Sequence, residues 1–339
     1  MDGQQHDYRI FDGDAASWNR LVTAGDDASL LQTWEWGEAK AATGPWQVER
    51  GVVVGRGEVI GAAQTLIRKT PLPGSGMAWI SRGPIAPARE YGGCLEALAR
   101  RFCNESRHYL RIQPALGEDE FQLPAGLNRT TTAGWASAVV DLREPEDVLR
   151  KNLHRKWRNH LSRAERSNLE LSVGSDESTF GTFMDGHAAH LARLGPKGGL
   201  DPALLNALQE RLAPERKLLC FIARKDGAYL GGGAIARFGT TGEYLAGHNT
   251  EAGRAEKAGQ LLLWSAMLHL KADGYTRLDL GGMDEHLTTP GIFEFKQRIG
   301  GRPYRLANEL EGGTGRAVNK LIRWRVERER RAIATGGES

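Results

Sequence analysis

Short apolar runs flank glycine-centred turns at two places in the chain. Val52–Val54 and Val59–Ile67 surround Gly55-Arg56-Gly57-Glu58, while Leu218–Ala223 and Tyr229–Phe238 surround Arg224-Lys225-Asp226-Gly227. Each pattern predicts a β-hairpin, because a tight turn needs backbone angles that glycine adopts freely. With Gly57 laid on Gly227, Ile60 falls on Leu230, Gly61 on Gly231, Ala62 on Gly232 and Ala63 on Gly233. A third strand follows each hairpin, at Met77–Ile80 and at Glu243–Ala246. The apolar spacing then becomes helical, through Leu95, Leu98 and Phe102 in the first case and Leu261, Trp264, Met267 and Leu268 in the second. A closing strand ends each series, Tyr109–Ile112 and Arg277–Leu280. The order β-β-β-α-β therefore occurs twice, which points to an internal duplication.

The join between the copies is expected near Val139–Pro145, where strand-like Ala138–Leu142 leads into an acidic helix start, Glu144-Pro145-Glu146-Asp147. This gives a first domain over 1–142 and a second over 143–312. Beyond Glu311, the run Gly312-Gly313-Thr314-Gly315 precedes an Arg-rich helix, and this tail, 313–339, is expected to pack back on the first domain. The element order matches the acetyltransferase-like (GNAT-type) α/β arrangement, so the fold class is α/β (α+β) with two such domains in tandem. In that arrangement a splayed sheet holds an acyl donor over a helix N-terminus, where free N–H groups accept a pyrophosphate. Arg254-Ala255-Glu256-Lys257-Ala258-Gly259 stands at that place in the second copy and loosely resembles an acyl-CoA loop.

Composition narrows the class. The 339 residues are 40% hydrophobic with a net charge of +3, too apolar and too balanced for a disordered chain. Cys94, Cys103 and Cys220 are odd in number and far apart, which argues against a disulfide framework or a zinc ribbon. Met1–His6 carries no leader pattern, and the longest apolar run, Leu261–Leu270, is about half of what a membrane span requires. A cytoplasmic protein with no stable membrane insertion is expected.

The charge is unevenly placed. Leu149, Leu153, Trp157 and Leu161 recur every four residues and predict one buried helical stripe over Val148–Arg166. Arg150, Lys151, Arg155, Lys156, Arg158, Arg163 and Arg166 crowd its other faces, opposed only by Glu165. This is either a solvated charged face or a contact with a polynucleotide backbone or diphosphate. The C-terminal helix adds Arg316, Lys320, Arg323, Arg325, Arg328, Arg330 and Arg331, offset by Glu327 and Glu329. Trp36 and Lys40 lie at i and i+4 of another helix; either Trp36 is core with Lys40 snorkelling over it, or Lys40 serves an aromatic-walled anion site. Leu278-Asp279-Leu280-Gly281-Gly282 ends a strand in a glycine pair that lets backbone approach a ligand, and Phe295-Lys296 precedes a second pair, Gly300-Gly301. Lys296 is then an exposed strand lysine or a site residue.

Other chemistry lacks its residues. The sequence has no P-loop, no dinucleotide-binding glycine pattern after a strand and no Gly-x-Ser-x-Gly elbow. His187 and His190 share a helical face at i, i+3 without an evident third ligand, so no metal is expected.

Taken in order, Leu31-Gln32-Thr33-Trp34-Glu35-Trp36 with Lys40, Ile80-Ser81-Arg82-Gly83-Pro84-Ile85, Lys156-Trp157-Arg158-Asn159, and Leu278–Gly282 followed by Phe295-Lys296 resemble the Fem family. These are aminoacyl-tRNA-dependent transferases that extend peptidoglycan precursors. The resemblance covers nearly the whole chain and implies two acetyltransferase-like domains with the C-terminal segment rejoining the first. It lacks the coiled-coil arm of some members and so looks like the compact ones, which act on a soluble nucleotide-linked precursor. Carried over by position, Lys296 becomes the catalytic cation with Phe295 beside it. Lys40, Trp36 and Tyr244 line the acceptor cleft, and Arg155, Lys156, Arg158 and Arg163 become candidates for tRNA phosphate. Two departures fall on the acceptor side: Gln113 stands where compact members have an acid, and Leu194-Gly195-Pro196-Lys197-Gly198-Gly199 replaces their Arg and Tyr, with Lys197 as a substitute cation.

The implied chemistry needs no resident cofactor, since aminoacyl-tRNA is a co-substrate whose ester is already activated. The transferred residue is expected to be Gly, Ala or Ser, and the acceptor a wall precursor or a related small amine such as an antibiotic intermediate. Two other readings remain: an acyl-CoA-dependent N-acyltransferase using the Arg254–Gly259 turn, and a non-enzymatic RNA-binding protein on a degenerate acetyltransferase fold.

Overall fold

A computed structural model describes residues 6–70, 76–194 and 199–335. The chain runs β1 (Asp7–Ile10), α1 (Ala15–Val22), α2 (Trp34–Thr43), β2 (Gln47–Gly55), β3 (Glu58–Lys69), β4 (Gly76–Ile80), α3 (Ala88–Ala99), β5 (Tyr109–Ile112) and β6 (Leu127–Arg129). It continues through β7 (Ala136–Asp141), α4 (Glu146–Asn152), α5 (Arg155–Glu165), β8 (Glu170–Gly174), α6 (Glu177–Leu194), α7 (Pro202–Arg211), β9 (Leu219–Lys225), β10 (Ala228–Phe238) and β11 (Thr241–Asn249). The last elements are α8 (Glu251–Ala255), α9 (Ala258–Ala272), β12 (Arg277–Asp279), α10 (Pro290–Gln297), β13 (Arg302–Arg305), β14 (Leu310–Gly312) and α11 (Ala317–Thr335).

Two compact units result. One holds the residues up to Ala136 together with those from Arg305 on; the other is Ser137–Tyr304. Each has a seven-stranded sheet, β1-β2-β3-β4-β5-β14-β6 in the first and β8-β9-β10-β11-β12-β7-β13 in the second. The orders correspond strand for strand. Both hairpins close through two residues with positive φ, Arg56 (52°) with Gly57 (85°) and Asp226 (50°) with Gly227 (78°). That geometry matches the strand twist and explains the glycine at each second position. In each unit the third strand pairs in parallel with the strand after the helix, β4 with β5 and β11 with β12.

The sequence placed the join after Leu142, and the hydrogen bonds move it. β7 pairs antiparallel with β12, Asp141 opposite Arg277 and Val139 opposite Asp279, so this strand belongs to the second sheet. Residues after Tyr304 return to the first unit, where β14 lies between β5 and β6. Consecutive strands β6 and β7, and again β13 and β14, thus enter different sheets, because each sheet is closed by a strand from the far side of the junction.

The predicted helix over Val148–Arg166 is two helices. Leu153 is extended (ψ 134°) and ends α4, and His154 caps α5 by accepting from Lys156 N at 3.2 Å. Arg158 Nη1 donates to the carbonyls of Lys151 (2.9 Å), Arg150 (3.3 Å) and Leu153 (3.4 Å), satisfying groups the broken helix leaves open. The four-residue stripe survives the break: Leu149, Leu153, Trp157 and Leu161 are all buried, with α9, in the second core. α11 packs on the first unit, Val326 against Met77 and Tyr109.

Candidate active site

The second sheet opens at one point. β11 and β12 pair only over Thr241–Glu243 and Arg277–Asp279. Leu245 is then an extra residue, since Ala234 faces Ala246 while Ile235 faces Tyr244, and such a bulge bends its strand. On the other side Leu280 N donates to Ala138 O (2.9 Å), away from β11, and the chain turns at Gly281 with φ 70°. A Cβ at Gly281 would lie 2.5 Å from the Tyr244 carbonyl oxygen, so both the angle and the space demand glycine.

Buried Asp279 holds this turn. Its Oδ1 accepts from Gly281 N at 2.8 Å, and its Oδ2 accepts from the Tyr304 hydroxyl at 2.5 Å. Ser137 Oγ lies 2.6 Å from Asp279 Oδ1 and 2.7 Å from Gly281 O. The turn presents the Gly282 carbonyl to Lys296 Nζ, which donates to it at 2.9 Å.

Lys296 is on α10, begun by Pro290, rather than on the strand that its glycine setting suggested. It is 8% exposed, and Nζ sits 5.7 Å from the centre of the Tyr244 ring. Burial pulls its pKa down to about 8, against the opposing pull of Asp279 and Glu243. Neighbouring Phe295 packs on Trp157 at 5.9 Å between ring centres. Lys296, Phe295 and Tyr244 line one cavity of about 540 Å³ together with Gly232, His160, Arg254, Lys257 and Gly259.

Cations gather on the same cavity. α8 is capped by Thr250 Oγ1, which accepts from Gly253 N (3.0 Å), and Lys257 then takes a left-handed conformation (φ 62°) that starts α9. The Arg254–Gly259 segment therefore sets the first turn of a long helix against the cavity. His160 of α5 also lines it; burial, then Lys257, Lys156, Arg298 and Arg163, lower its pKa. Of the four phosphate candidates, Arg155, Lys156 and Arg163 are exposed, whereas Arg158 is engaged in capping α4. Arg150 is paired with Glu165 at 2.5 and 2.8 Å.

The remaining candidates lie elsewhere in the chain. Trp36 is buried in α2 of the first unit, with Lys40 half-buried one turn on. Gln113 follows β5 and donates from Nε2 to Glu309 Oε1 at 3.1 Å. Lys197 lies outside the described residues. Sequence reasoning missed Ser137, Tyr304 and His160, because nothing local marks residues that reach the site only through folding. It also missed His248, whose ring lies 6.0 Å from that of His187 and 5.7 Å from that of His190, and whose Nε2 meets the Tyr229 hydroxyl at 2.5 Å. Burial drives the pKa of His248 down to about 3, leaving it neutral. Among the described residues no group of three or more His, Cys, Asp or Glu side chains could hold a metal ion, and no helix is long and apolar enough to cross a membrane.

Residues 149–297 match the family model of the acetyltransferase (GNAT) domain, the stretch that builds this cavity. No curated protein sequence matches the chain. Among solved structures, FemX is similar over 93% of this chain and 99% of its own, with 17% identity and a TM-score of 0.78. The C-terminal DUF2156 domain of a lysylphosphatidylglycerol synthetase candidate from Agrobacterium fabrum is similar over 95% and 97%, with 16% identity and a TM-score of 0.53. A tandem GNAT protein from the clavulanic acid biosynthesis pathway is similar over 92% and 99%, with 12% identity and a TM-score of 0.52. The chain is a tandem acetyltransferase-fold protein with a GNAT domain in its second half and the two-domain fold of FemX.

Proposed function

We propose that this chain is an aminoacyltransferase that moves a small amino acid, of the Gly, Ala or Ser class, from aminoacyl-tRNA to an amine of a peptidoglycan precursor or related small acceptor. One observation carries the reading: a buried lysine held by a backbone carbonyl over a cavity at the splay of the second sheet, with cations at its rim. The likeness to FemX supports it. In the reaction the acceptor amine attacks the ester carbonyl, an N–C bond forms, and the C–O bond to the tRNA ribose breaks. The amine proton ends on the departing ribose oxygen. A lysine ammonium has three donors. With one on Gly282 O, the others stabilise the oxyanion of the tetrahedral intermediate, a contribution typically worth about 2.7–4 kcal/mol. His160, Arg254, Lys257 and the exposed cations of α5 receive the phosphates of the donor's end. Alignment of two bound substrates supplies much of the remaining acceleration.

The Arg254–Gly259 turn at the start of α9 favours a second reading, transfer from acyl-CoA. The deciding experiment presents the protein with tRNA charged with labelled Gly, Ala or Ser and a lysine-containing UDP-muramoyl-pentapeptide. Label in the peptide that disappears after ribonuclease pretreatment, and with Lys296→Met, is the expected result. Inert charged tRNA, with acetyl-CoA raising Tm, overturns it in favour of acyl-CoA.

A further inference from the structure

Among the described residues that line the cavity of Lys296 there is no carboxylate. Only His160 and His187 carry a group there that takes up a proton near neutral pH. Lys296, with its pKa pulled to about 8, is mostly the ammonium at pH 7, and burial pushes the Tyr244 phenol up to about 12. The two histidines are not equivalent. His187 is 2% exposed, and its Nε2 meets Leu200 O at 2.8 Å. A carbonyl only accepts, so Nε2 bears the hydrogen and the lone pair lies on Nδ1. That Nδ1 is sealed from solvent, so it does not reach a molecule in the cavity.

His160 is half-buried, and among the described residues nothing hydrogen-bonds to its ring nitrogens. It stands one turn along α5 from Trp157, whose ring packs on Phe295, the neighbour of Lys296. The charges that weigh on it are cationic: Lys257 at the start of α9, Lys156 and Arg163 of its own helix, and Arg298 at the end of α10. Burial and these cations hold the ring uncharged at neutral pH, with a lone pair free. The reaction has a proton to place. An acceptor amine of lysine type is neutral in about one molecule in 2,500 at pH 7, and an ammonium has no lone pair with which to attack.

We propose that His160 is the general base of this site, its free ring nitrogen taking one proton from the acceptor ammonium before attack. The inference rests on the aminoacyltransferase reading for its acceptor. Of the three ammonium protons, the first passes to His160 and on to solvent. The second ends on the departing ribose oxygen as the N–C bond forms and the ester C–O bond breaks. The third stays on the amide nitrogen. The other ring nitrogen, an N–H throughout, faces a donor phosphate, which steadies the imidazolium against the four cations.

The test sets wild type and His160→Gln against two acceptors: the lysine-containing UDP-muramoyl-pentapeptide, and the same peptide with an aminooxy group, neutral at pH 7, in place of the lysine ammonium. Glutamine keeps a donor for phosphate but takes up no proton. The variant is expected to lower kcat for the lysine peptide about 10²-fold more than for the aminooxy peptide. Both rates come from one protein, so a loss of folded enzyme cancels from their ratio. Lys296→Met is expected to slow both peptides alike, since the oxyanion forms with either. Equal losses for His160→Gln, or none, overturn the base and leave the transferase reading in place. If charged tRNA is inert and acetyl-CoA serves as donor, the aminoacyl-tRNA reading fails by itself. The same ratio then decides on His160, because the ammonium must lose its proton before attacking either donor. Wild type inert with both donors overturns both.

Discussion

The two units share one strand order and differ at one joint. In the first, β4 and β5 pair over four residues, Met77–Ile80 with Tyr109–Ile112, and the seam continues: Gln113 N donates to Ile80 O (2.8 Å) and Gly83 N to Gln113 O (3.0 Å). With Arg277 laid on Tyr109, Gly281 is the counterpart of Gln113, yet its N–H bonds Asp279 Oδ1 (2.8 Å) instead of the neighbouring strand. The seam of the second sheet therefore parts, and Lys296 occupies the gap. The first unit uses its charge differently. Arg111, fully buried, donates to Glu309 (2.6 Å), Glu327 (2.8 Å) and Thr132 (2.8 Å) and ties β14 and α11 to β5. Burial alone would lower its pKa, but Glu309 and its other partners outweigh that and hold it above the usual arginine range. One copy of the fold uses a buried cation as a fastener; the other keeps one poised at a cavity.

The largest expected effect breaks the fastener. Arg111→Ala takes the guanidinium away from the buried Glu309 carboxylate and should cost about 3–5 kcal/mol of stability, read by denaturant unfolding. A loss below 1 kcal/mol would show that the network does not hold the C-terminal segment. Next comes the poised cation. Lys296→Met should lower kcat for transfer by about 10²–10³-fold. Its stability effect has the opposite sign to that of Arg111. The folded-state pKa of Lys296 lies below that of an unfolded lysine, so at pH 7 its burial as a cation opposes folding, and stability rises with pH only above about 8. Lys296→Met should therefore raise Tm at pH 7, by about 2–4 °C for each kcal/mol recovered; a fall would remove the contrast with Arg111.

Gly281→Ala tests the parted seam. It puts a side chain at φ 70° against a carbonyl and should cost about 1–3 kcal/mol, with a drop in transfer as Gly282 O moves from Lys296. Unchanged unfolding would mean that the turn relaxes freely. The pH profile is a finer probe. With the ammonium as the active form, kcat/KM should fall as pH rises through about 8, and a rise there would make Lys296 a base. Asp279→Asn is the smallest change. It removes a negative charge that favours the ammonium, so the bend should move to lower pH by under about one unit. A bend that stays in place would confine Asp279 to holding the turn.

The hydrophobic pattern determined much of this molecule by itself. The paired hairpins, the helices after them and the repeat follow from local spacing and from glycines whose backbone angles only they adopt easily. The buried stripe through Leu149 and Leu161 was equally legible, because burial repeats every four residues even across the break at Leu153. The order of motifs around Lys296 marked it, Phe295 and Tyr244 as candidates, and the folded chain puts all three on one cavity. What local spacing does not encode is where a strand finds its partner. β7 and β14 look like the ends of their own domains and complete the other sheets, since pairing depends on edges formed elsewhere in the chain. Charge is underdetermined in the same way. Arg158, Arg111 and Lys296 are all cations in the sequence. Only the tertiary structure makes the first a helix cap, the second a buried clasp and the third a desolvated amine, because each role is set by the carbonyls, carboxylates and exclusion of water that the fold brings to it.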